Sequence, residues 1–413
     1  MNMLLHNAER FERYLDARLV DGNGLVRTVI DARTEAPLTE DTFAGGIPEG
    51  WHDWCVPGFS RPEFGGYENV GMTTGAYLNA LVHKYRVTGS AETLEKIRAK
   101  VDALLRVAEL GKTLEWGFFP KCYGGRFSLE TSTDQVQYVM SALDNCYEYL
   151  DAATRVRVAD LMVAMTEFWR KRDYKYTYFI YKDMPWPPLR FPPFLYLAGK
   201  YSGDPVYRRE ADALTAAHWQ EIPQNSRFRP RELGEYEKKH GVKIIEALPD
   251  CVGMDTLNAE LVLRTVPDTA YAETWRDSML AMWREGERGL APDGSCYTVL
   301  FEDLQTGALR QADDFDPAFH CHGARTGMST MILRGGLLAA RHFPRERPAI
   351  LARVRKELLK FEAPRQFSYL APEDAERLPE RFRFKSRFIS GDALSNYLWS
   401  CWLLAELEMN SHD

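Results

Sequence analysis

Residues 70–108, VGMTTGAYLNALVHKYRVTGSAETLEKIRAKVDALLRVA, contain the pattern on which the predicted fold rests. A mainly apolar stretch, Val70 to Val87, is followed by the turn Thr88-Gly89-Ser90 and then by the charged stretch Ala91 to Ala108. In the charged stretch, apolar residues recur every three or four positions from Leu94 onward, which is typical of one face of a helix. The segment therefore predicts a helical hairpin whose first helix is enclosed and whose second helix faces water.

The same pattern occurs four more times, and one further helix is predicted at each end of the chain. The two end helices, Leu4 to Leu19 and Asp392 to Met409, complete a sixth pair. Six pairs predict an all-α fold, an (α/α)6 toroid over residues 1–413 in which six inner helices are ringed by six outer ones. Two helical domains divided near residues 220–250 are the alternative. The four further pairs are Ser132 to Leu150 with Ala152 to Arg172, Pro188 to Tyr201 with Val206 to Trp219, Met254 to Val266 with Thr269 to Gly286, and Arg325 to Phe343 with Arg345 to Phe361.

A long connection leads from each outer helix to the next inner helix, whereas the turn inside each pair is short. Loops of more than about 12 to 15 residues in a compact domain are usually functional. In a ring of hairpins the long connections share one end, over the N-termini of the inner helices, where partial positive charge and free N–H groups gather. This end, with short β-hairpins in its loops, is the predicted active face. The connections are residues 20–69, 109–131, 173–187, 220–253, 287–324 and 362–390.

The composition argues against two kinds of partner, nucleic acid and membranes. The chain has 413 residues, of which 45% are hydrophobic and 27% charged, and its net charge is −7. Without a basic surplus, nucleic acid is not an expected partner, and no apolar run approaches the roughly 20 residues of a membrane span. The seven cysteines include no Cys-x-x-Cys pair, so reduced thiols are expected rather than a zinc site or disulfides. We therefore expect a cytoplasmic monomer or homodimer without a cofactor or metal.

The connection before the first predicted inner helix carries several candidate sugar-binding residues. Trp51 and His52 stand in an aromatic stretch, and Tyr67, Glu68 and Asn69 come directly before the helix, among glycines that allow tight turns. A role of Asn69 as an ordinary helix cap is the alternative.

The connection before the second inner helix leads to the strongest candidate catalyst. Trp116 and Arg126 belong to an aromatic, glycine-containing segment that predicts a hairpin around Gly124-Gly125. Asp134 follows this segment, and Tyr138 lies one turn further on. A capping box formed by Ser132 and Gln135 is the competing explanation, in which Asp134 is only a favourable first-turn acid.

The third candidate segment, residues 315–325, holds two of the nine histidines. His320 and His322 stand two positions apart, so in an extended loop both imidazoles point to one side, with Arg325 at the mouth of the fifth inner helix. They are suited to acid–base catalysis or sugar binding. A metal site would need a third ligand, Asp314 or Asp316, and is the less favoured interpretation.

Two weaker patterns in the sequence also involve charged residues. Asp255 and Asp392 are interpreted as helix caps or first-turn acids. Alternating basic residues before the last inner helix resemble a strand and would line a basic wall for an anionic substrate, although exposure to solvent is the more ordinary outcome. These residues are Arg381, Arg383, Lys385 and Arg387.

Two stretches of the chain, together with the repeated helical hairpins, resemble the six-hairpin glycosidase-like superfamily. They are Tyr67-Glu68-Asn69 through Gly89 and Ser132-Thr133-Asp134-Gln135 through Tyr147. The (α/α)6 toroids of this superfamily include unsaturated glucuronyl hydrolases, polysaccharide lyases and N-acylglucosamine 2-epimerases. In unsaturated uronyl hydrolases an aspartate of an inner helix is the general acid and base. The resemblance implies that role for Asp134.

Two chemistries and one binding role follow from these residues. Hydrolysis of a uronate-containing oligosaccharide needs two carboxyl groups, and Asp134 with Glu68 is the predicted pair. A lyase would instead use Tyr or His as base with Arg or Asn neutralising the uronate, for which His320, His322, Arg325, Asn69 and Tyr67 are candidates. A non-catalytic sugar-binding protein is the third possibility. The resemblance favours the hydrolase.

Overall fold

The computed structural model describes residues 2–44, 56–176, 186–223, 233–246, 248–311, 325–376 and 383–410. Twelve long helices form six pairs, as the sequence predicts. The inner helices are α3 Val70–Thr88, α5 Thr133–Cys146, α7 Pro192–Ser202, α10 Pro249–Thr265, α12 Ser329–His342 and α15 Gly391–Met409. The outer helices are α1 Asn2–Arg18, α4 Ala91–Gly111, α6 Ala152–Arg170, α8 Pro205–His218, α11 Ala272–Arg288 and α13 Arg347–Leu358. Three shorter helices are α2 Arg61–Tyr67, α9 Leu233–His240 and α14 Pro372–Ala375.

The inner helices contact one another in a closed ring. Each packs against the next in chain order, and α15 packs against α3, which closes the circle. The outer helix α1 packs against α15, so the two ends of the chain form the sixth pair. The predicted (α/α)6 toroid is confirmed. None of its helices, within the described residues, is long and apolar enough to cross a membrane.

Burial separates the two rings in the way that the charge pattern predicts. The inner helix α15 is buried nearly all round, including Trp399 and Trp402. The outer helix α4 buries one face, which carries Ile97, Val101 and Leu104, and exposes its charged face to water. An amphipathic helix of this kind is stable only when its apolar stripe packs against another element.

The short turns inside the pairs depend on local capping. Gly89 has a φ of 64°, which ends α3, and the Ser90 side chain then accepts a hydrogen bond from Thr93 N–H to begin α4. Asp151 caps α6 in the same way through Thr154 N–H. A left-handed glycine followed by a capping side chain reverses the chain within two residues.

The long connections hold short strands that pair with one another. Strand β1 (Val29–Asp31) is antiparallel to β7 (Phe388–Ser390), which ties the first connection to the last. A three-stranded sheet of β2 (Val242–Glu246), β4 (Val299–Asp303) and β5 (Leu309–Gln311) joins the fourth connection to the fifth. Two predictions of local structure are wrong. Residues Tyr123–Gly125 form a short 3-10 turn, in which the positive φ of Gly124 and Gly125 departs from helical geometry, and the basic stretch ends in a 3-10 helix, Phe384–Arg387. The strands are β1 Val29–Asp31, β2 Val242–Glu246, β3 Cys296–Tyr297, β4 Val299–Asp303, β5 Leu309–Gln311, β6 Arg325–Thr326 and β7 Phe388–Ser390.

Charged side chains close the opposite end of the inner ring, and every one of them lies in the last two turns of its helix. We call this set the lower ion-pair ring. Because the C-terminal ends of all six inner helices meet there, their N-terminal ends, together with the long connections, share the other end. Its links are Arg86 to Glu406 and to the Asn145 carbonyl, Asp144 to Lys200 and Arg264, Glu260 to Arg341 and His342, and Glu406 to His83 and Arg341.

Candidate active site

Acidic residues stand at the N-terminal ends of four inner helices. Asp134, Asp250 and Asp392 lie in the first turns of α5, α10 and α15, and Glu68 comes two residues before α3. The free N–H groups and partial positive charge of a helix N-terminus favour negative charge at these positions. The acids therefore surround the mouth of the inner ring, on the side of the long connections.

Asp134 is half-buried and makes no side-chain hydrogen bond to the residues that the structure describes. The alternative capping box is wrong, because the buried Ser132 hydroxyl has no partner among these residues. Gln135 turns instead to the neighbouring helix: its Oε1 accepts from Gly71 N–H at 3.1 Å, and its Nε2 donates to the Glu68 carbonyl at 2.8 Å. The contact places Asp134 beside the segment that carries Glu68 and leaves its carboxylate available to a ligand.

Glu68 forms an ion pair with Lys121, whose side chain is only 1% exposed. The buried ammonium gives Glu68 a fixed counter-charge. Glu130 stands close by and accepts a hydrogen bond from the Tyr123 hydroxyl at 2.6 Å. Burial raises the pKa of Glu130, and the negative charge of Glu68 adds to this effect.

Asp255 lies nearly two turns into α10, and its carboxylate is 3.5 Å from the guanidinium of Arg190. Burial raises the pKa of Asp255, while the positive charge of Arg190 works in the opposite direction. Gln137 links this pair to α5: its Nε2 donates to the Met254 carbonyl at 2.8 Å, and its Oε1 accepts from Arg190 at 3.3 Å. Gln137 is three residues from Asp134 on the same helix, so the Asp255–Arg190 pair contacts the face of α5 that also carries Asp134.

Asp392 is fully buried in the first turn of α15, which Ser390 caps by accepting from Ala393 N–H at 3.2 Å. Its Oδ2 accepts from the Tyr369 hydroxyl at 3.3 Å and from Asn69 Nδ2 at 3.5 Å, whereas Oδ1 has no partner in the described part of the chain. Burial raises the pKa of Asp392 well above its usual range, and the charges of Asp250 and Glu68 raise it further. Asp392 is a first-turn acid, as expected, in an environment that favours its protonated form.

Three predicted binding residues are engaged by the protein itself. The Tyr67 hydroxyl donates to Asp21 at 2.9 Å, and burial, with the charge of Asp21, raises its pKa to about 12. Trp116 donates through Nε1 to Asp160 of the outer helix α6 at 2.7 Å. Arg126 pairs with Glu63 at 2.7 Å. These contacts hold the first two connections in place.

Two more predicted residues are similarly committed. Tyr138 is 0% exposed, and its hydroxyl accepts a 2.7 Å hydrogen bond from Arg334, so it lies beneath the mouth rather than within it. Arg325 forms a two-pronged pair with Asp374, with both N···O distances 3.1 Å, and a third contact with Asp293 at 2.5 Å. Its guanidinium serves to join the fifth connection to the sixth.

The other predicted residues lie outside the described part of the chain. These are Trp51 and His52 in the first connection and His320 and His322 in the fifth, with Asp314 and Asp316. Among the described residues, no group of three His, Cys, Asp or Glu side chains is arranged to hold a metal ion.

Sequence reasoning missed four residues of the mouth. Lys121 and Arg190 acquire their roles through partners far away in the sequence, and Tyr369 lies 23 residues before its partner Asp392. The position of Asp250 could have been predicted from the sequence, because it follows Pro249 at the start of a helix, where acidic residues are favoured.

Comparison with known proteins places this geometry in a structural context. No family model matches the sequence, and no curated protein matches it significantly. Solved structures do match. A heparin-specific unsaturated glucuronyl hydrolase superposes with a TM-score of 0.56 at 10% identity, over 99% of this chain and 98% of the other. The unsaturated glucuronyl hydrolase of Bacillus sp. GL1, which degrades glycosaminoglycan, has a TM-score of 0.51 at 15% identity, over 97% and 94%.

A polysaccharide lyase also matches, with a TM-score of 0.53 at 15% identity, over 82% of this chain and 91% of the other. All three match over most of their length, which is the extent expected of a shared architecture.

The chain has the six-hairpin (α/α)6 fold.

In this six-hairpin toroid, the likeness to the matched enzymes concerns the fold alone, because a fold hosts many activities. Any inference about the reaction therefore rests on the residues at the mouth.

Proposed function

We propose that the protein is a glycoside hydrolase that acts on a uronate-containing oligosaccharide at the mouth of the inner ring. The observation that carries the proposal is the set of mouth carboxyl groups, which occupy contrasting environments. Asp134 makes no side-chain hydrogen bond within the described part of the chain, whereas burial raises the pKa of Asp255. Glycoside hydrolysis requires one carboxyl group that donates a proton and a second, ionised one that activates water or attacks the sugar.

The roles follow from these environments. Asp255 keeps its proton to a higher pH than an ordinary aspartate and donates it to the leaving oxygen. Asp134, in the first turn of α5, is the proposed second carboxyl group. Glu68, the partner suggested by the sequence, is paired with Lys121, which suits it to supporting the site electrostatically rather than to donating a proton.

The described residues favour hydrolysis over a lyase reaction. A lyase needs a base and a cation that neutralises the uronate carboxylate. The Tyr67 hydroxyl donates a hydrogen bond to Asp21 and has a pKa raised to about 12, so it is a weak candidate for the base. Arg325 is already paired with Asp374 and Asp293. The fold match to a polysaccharide lyase makes that reaction the second candidate.

The closed lower end supports attack at the end of a saccharide. Because the lower ion-pair ring links the C-terminal ends of all six inner helices, the proposed site takes a saccharide from the side of the long connections. A pocket that is open at one end takes a chain terminus, so short oligosaccharides are the proposed substrates.

The test is an activity screen on saturated and unsaturated uronate oligosaccharides, with products resolved by chromatography. A hydrolase releases a new reducing end without forming a double bond, whereas a lyase creates ultraviolet absorbance from a new C4–C5 double bond. We expect Asp134→Asn to lower kcat by about a hundredfold or more. Asp102→Asn is the matched control, because Asp102 is an exposed aspartate of the outer helix α4.

Three outcomes would contradict the proposal. New absorbance would identify a lyase, random internal cuts in a polymer would exclude attack at chain ends, and binding without turnover would indicate a sugar-binding protein. Equal activity of Asp134→Asn and Asp102→Asn would remove Asp134 from the reaction.

A further inference from the structure

A cavity of about 380 Å³ lies between the first connection and the last, beside the strand pair β1–β7. Three arginines from three separate segments line it. Arg33 follows β1, Arg365 lies in the sixth connection, and Arg387 comes directly before β7. The alternating basic stretch of the sequence therefore contributes one arginine to a cavity, in a 3-10 helix instead of a strand.

The three arginines keep most of their hydrogen-bonding capacity. None of them forms an ion pair with a residue that the structure describes, and the side chains of Arg33 and Arg365 make no hydrogen bond to such residues. Arg387 reaches only two carbonyl oxygens, those of Thr42 at 3.4 Å and Ala44 at 3.5 Å. Each guanidinium offers five N–H donors and a permanent positive charge. All three side chains are exposed and carry no counter-charge from the described residues, so the cavity presents three positive charges to an incoming anion.

Two aspartates also line the cavity, but neither forms an ion pair there. Asp31 is buried, and its Oδ1 accepts from the N–H groups of Arg33 at 2.8 Å and Thr34 at 2.9 Å. Burial opposes ionisation of Asp31, yet these backbone donors outweigh it and lower the pKa. Asp41 is an exposed first-turn acid of a 3-10 helix. With three arginines against two aspartates, the cavity keeps an excess of positive charge.

We infer that this cavity binds a tetrahedral oxyanion, a sulfate or phosphate group, through Arg33, Arg365 and Arg387. The planar fork of a guanidinium matches adjacent oxygens of such a group, and charge-assisted hydrogen bonds of this kind are roughly twice as strong as neutral ones. The inference does not depend on the proposed hydrolase activity. Two sources share this chemistry: a free inorganic anion, and an ester group carried by a saccharide.

The position of the cavity makes the second source physically accessible. Arg387 is five residues from Asp392 at the mouth, and five extended residues span at most about 17 Å. A saccharide seated at the mouth therefore needs to extend only a short distance along the rim to place an ester group among the arginines.

The site is tested by calorimetric titration of the full chain with sodium sulfate and sodium phosphate at low ionic strength, with sodium chloride as the ionic-strength control. We expect saturable binding of sulfate or phosphate that weakens about tenfold or more in Arg33→Gln and in Arg365→Gln. Arg98→Gln is the matched control, because Arg98 is an exposed arginine of α4 without an ion pair to described residues. Equal binding by wild type and both cavity variants, or no saturable binding by wild type, would overturn the inference.

A second titration separates the two sources, using a sulfated uronate disaccharide and its unsulfated counterpart. An ester source predicts that wild type prefers the sulfated disaccharide about tenfold and that Arg365→Gln loses the preference. A free-anion source predicts no preference between the disaccharides, while inorganic sulfate still binds. Each readout is binding, so the result stands whether or not the protein hydrolyses the disaccharide.

Discussion

At the scale of single residues, the pairing of Asp255 with Arg190 makes a prediction about pH dependence. If Asp255 donates the proton, activity falls as the pH rises through its raised pKa, because the ionised form cannot donate. The positive charge of Arg190 lowers that pKa, so Arg190→Gln raises it and moves the alkaline limb of the kcat/KM profile to higher pH. The measurement is a pH–rate profile of the wild type and the variant on the same oligosaccharide.

Two further variants serve as controls for this prediction. Arg98→Gln, which also removes one positive charge, leaves the alkaline limb where it is. Asp255→Asn abolishes the limb and lowers kcat by about a hundredfold or more. A limb that stays in place or moves to lower pH in Arg190→Gln would show that Asp255 is not the group that titrates.

At the scale of elements, Arg334 of α12 ties together three other inner helices beneath the mouth. Its guanidinium donates to the Tyr138 hydroxyl of α5 and to Asn396 Oδ1 of α15, both at 2.7 Å, and to the Gly253 carbonyl of α10. Arg334→Met removes the donor to the buried Tyr138 hydroxyl and Asn396 Oδ1, which costs about 1–3 kcal/mol for each group, whereas the Gly253 carbonyl still accepts from the Thr256 hydroxyl. We expect a loss of about 2 kcal/mol or more in the free energy of unfolding, measured by urea denaturation.

The control for this variant is again on the surface. Arg98→Met changes the same residue type on the exposed face of α4 and should alter stability by less than about 0.5 kcal/mol. A loss of less than about 1 kcal/mol for Arg334→Met would mean that water or a rearranged neighbour replaces the lost donors.

At the scale of the whole molecule, the lower ion-pair ring predicts acid sensitivity. Burial opposes ionisation of Glu260, but Arg341 and His342 outweigh it and lower its pKa to about 2. A group with a depressed pKa in the folded state contributes stability above its unfolded pKa, and this contribution is lost as the pH falls through the folded value. We expect about 3 kcal/mol to be lost from this residue between about pH 5 and pH 2, observed as a falling urea midpoint.

Glu260→Gln isolates this contribution. The variant is less stable at neutral pH, because Arg341 and His342 lose their carboxylate, and its stability depends less steeply on pH below about pH 5. Glu95→Gln, at an exposed position of α4, retains the wild-type slope. Equal slopes in the wild type and Glu260→Gln would show that other groups govern the acid transition.

The hairpins and their closure into a toroid followed from local patterns alone. Apolar spacing marks each helix, and Gly89 with Ser90, or Asp151, marks a reversal of the chain, because capping and turn geometry depend on neighbouring residues. The gathering of the long connections at one end followed from the same topology. The position of Asp134 in the first turn of an inner helix also followed from the local sequence, whereas its catalytic role stays a prediction.

The chemical environment of each mouth residue depended on contacts between distant parts of the chain. Glu68 pairs with Lys121, and Asn69 meets Asp392, 323 positions away. Nothing in the local sequence indicates that Gln135 reaches to α3 instead of capping its own helix. Burial, counter-charge and pKa arise from packing around the ring, so only the folded toroid determines the environment of each carboxyl group and which described residues pair with each arginine.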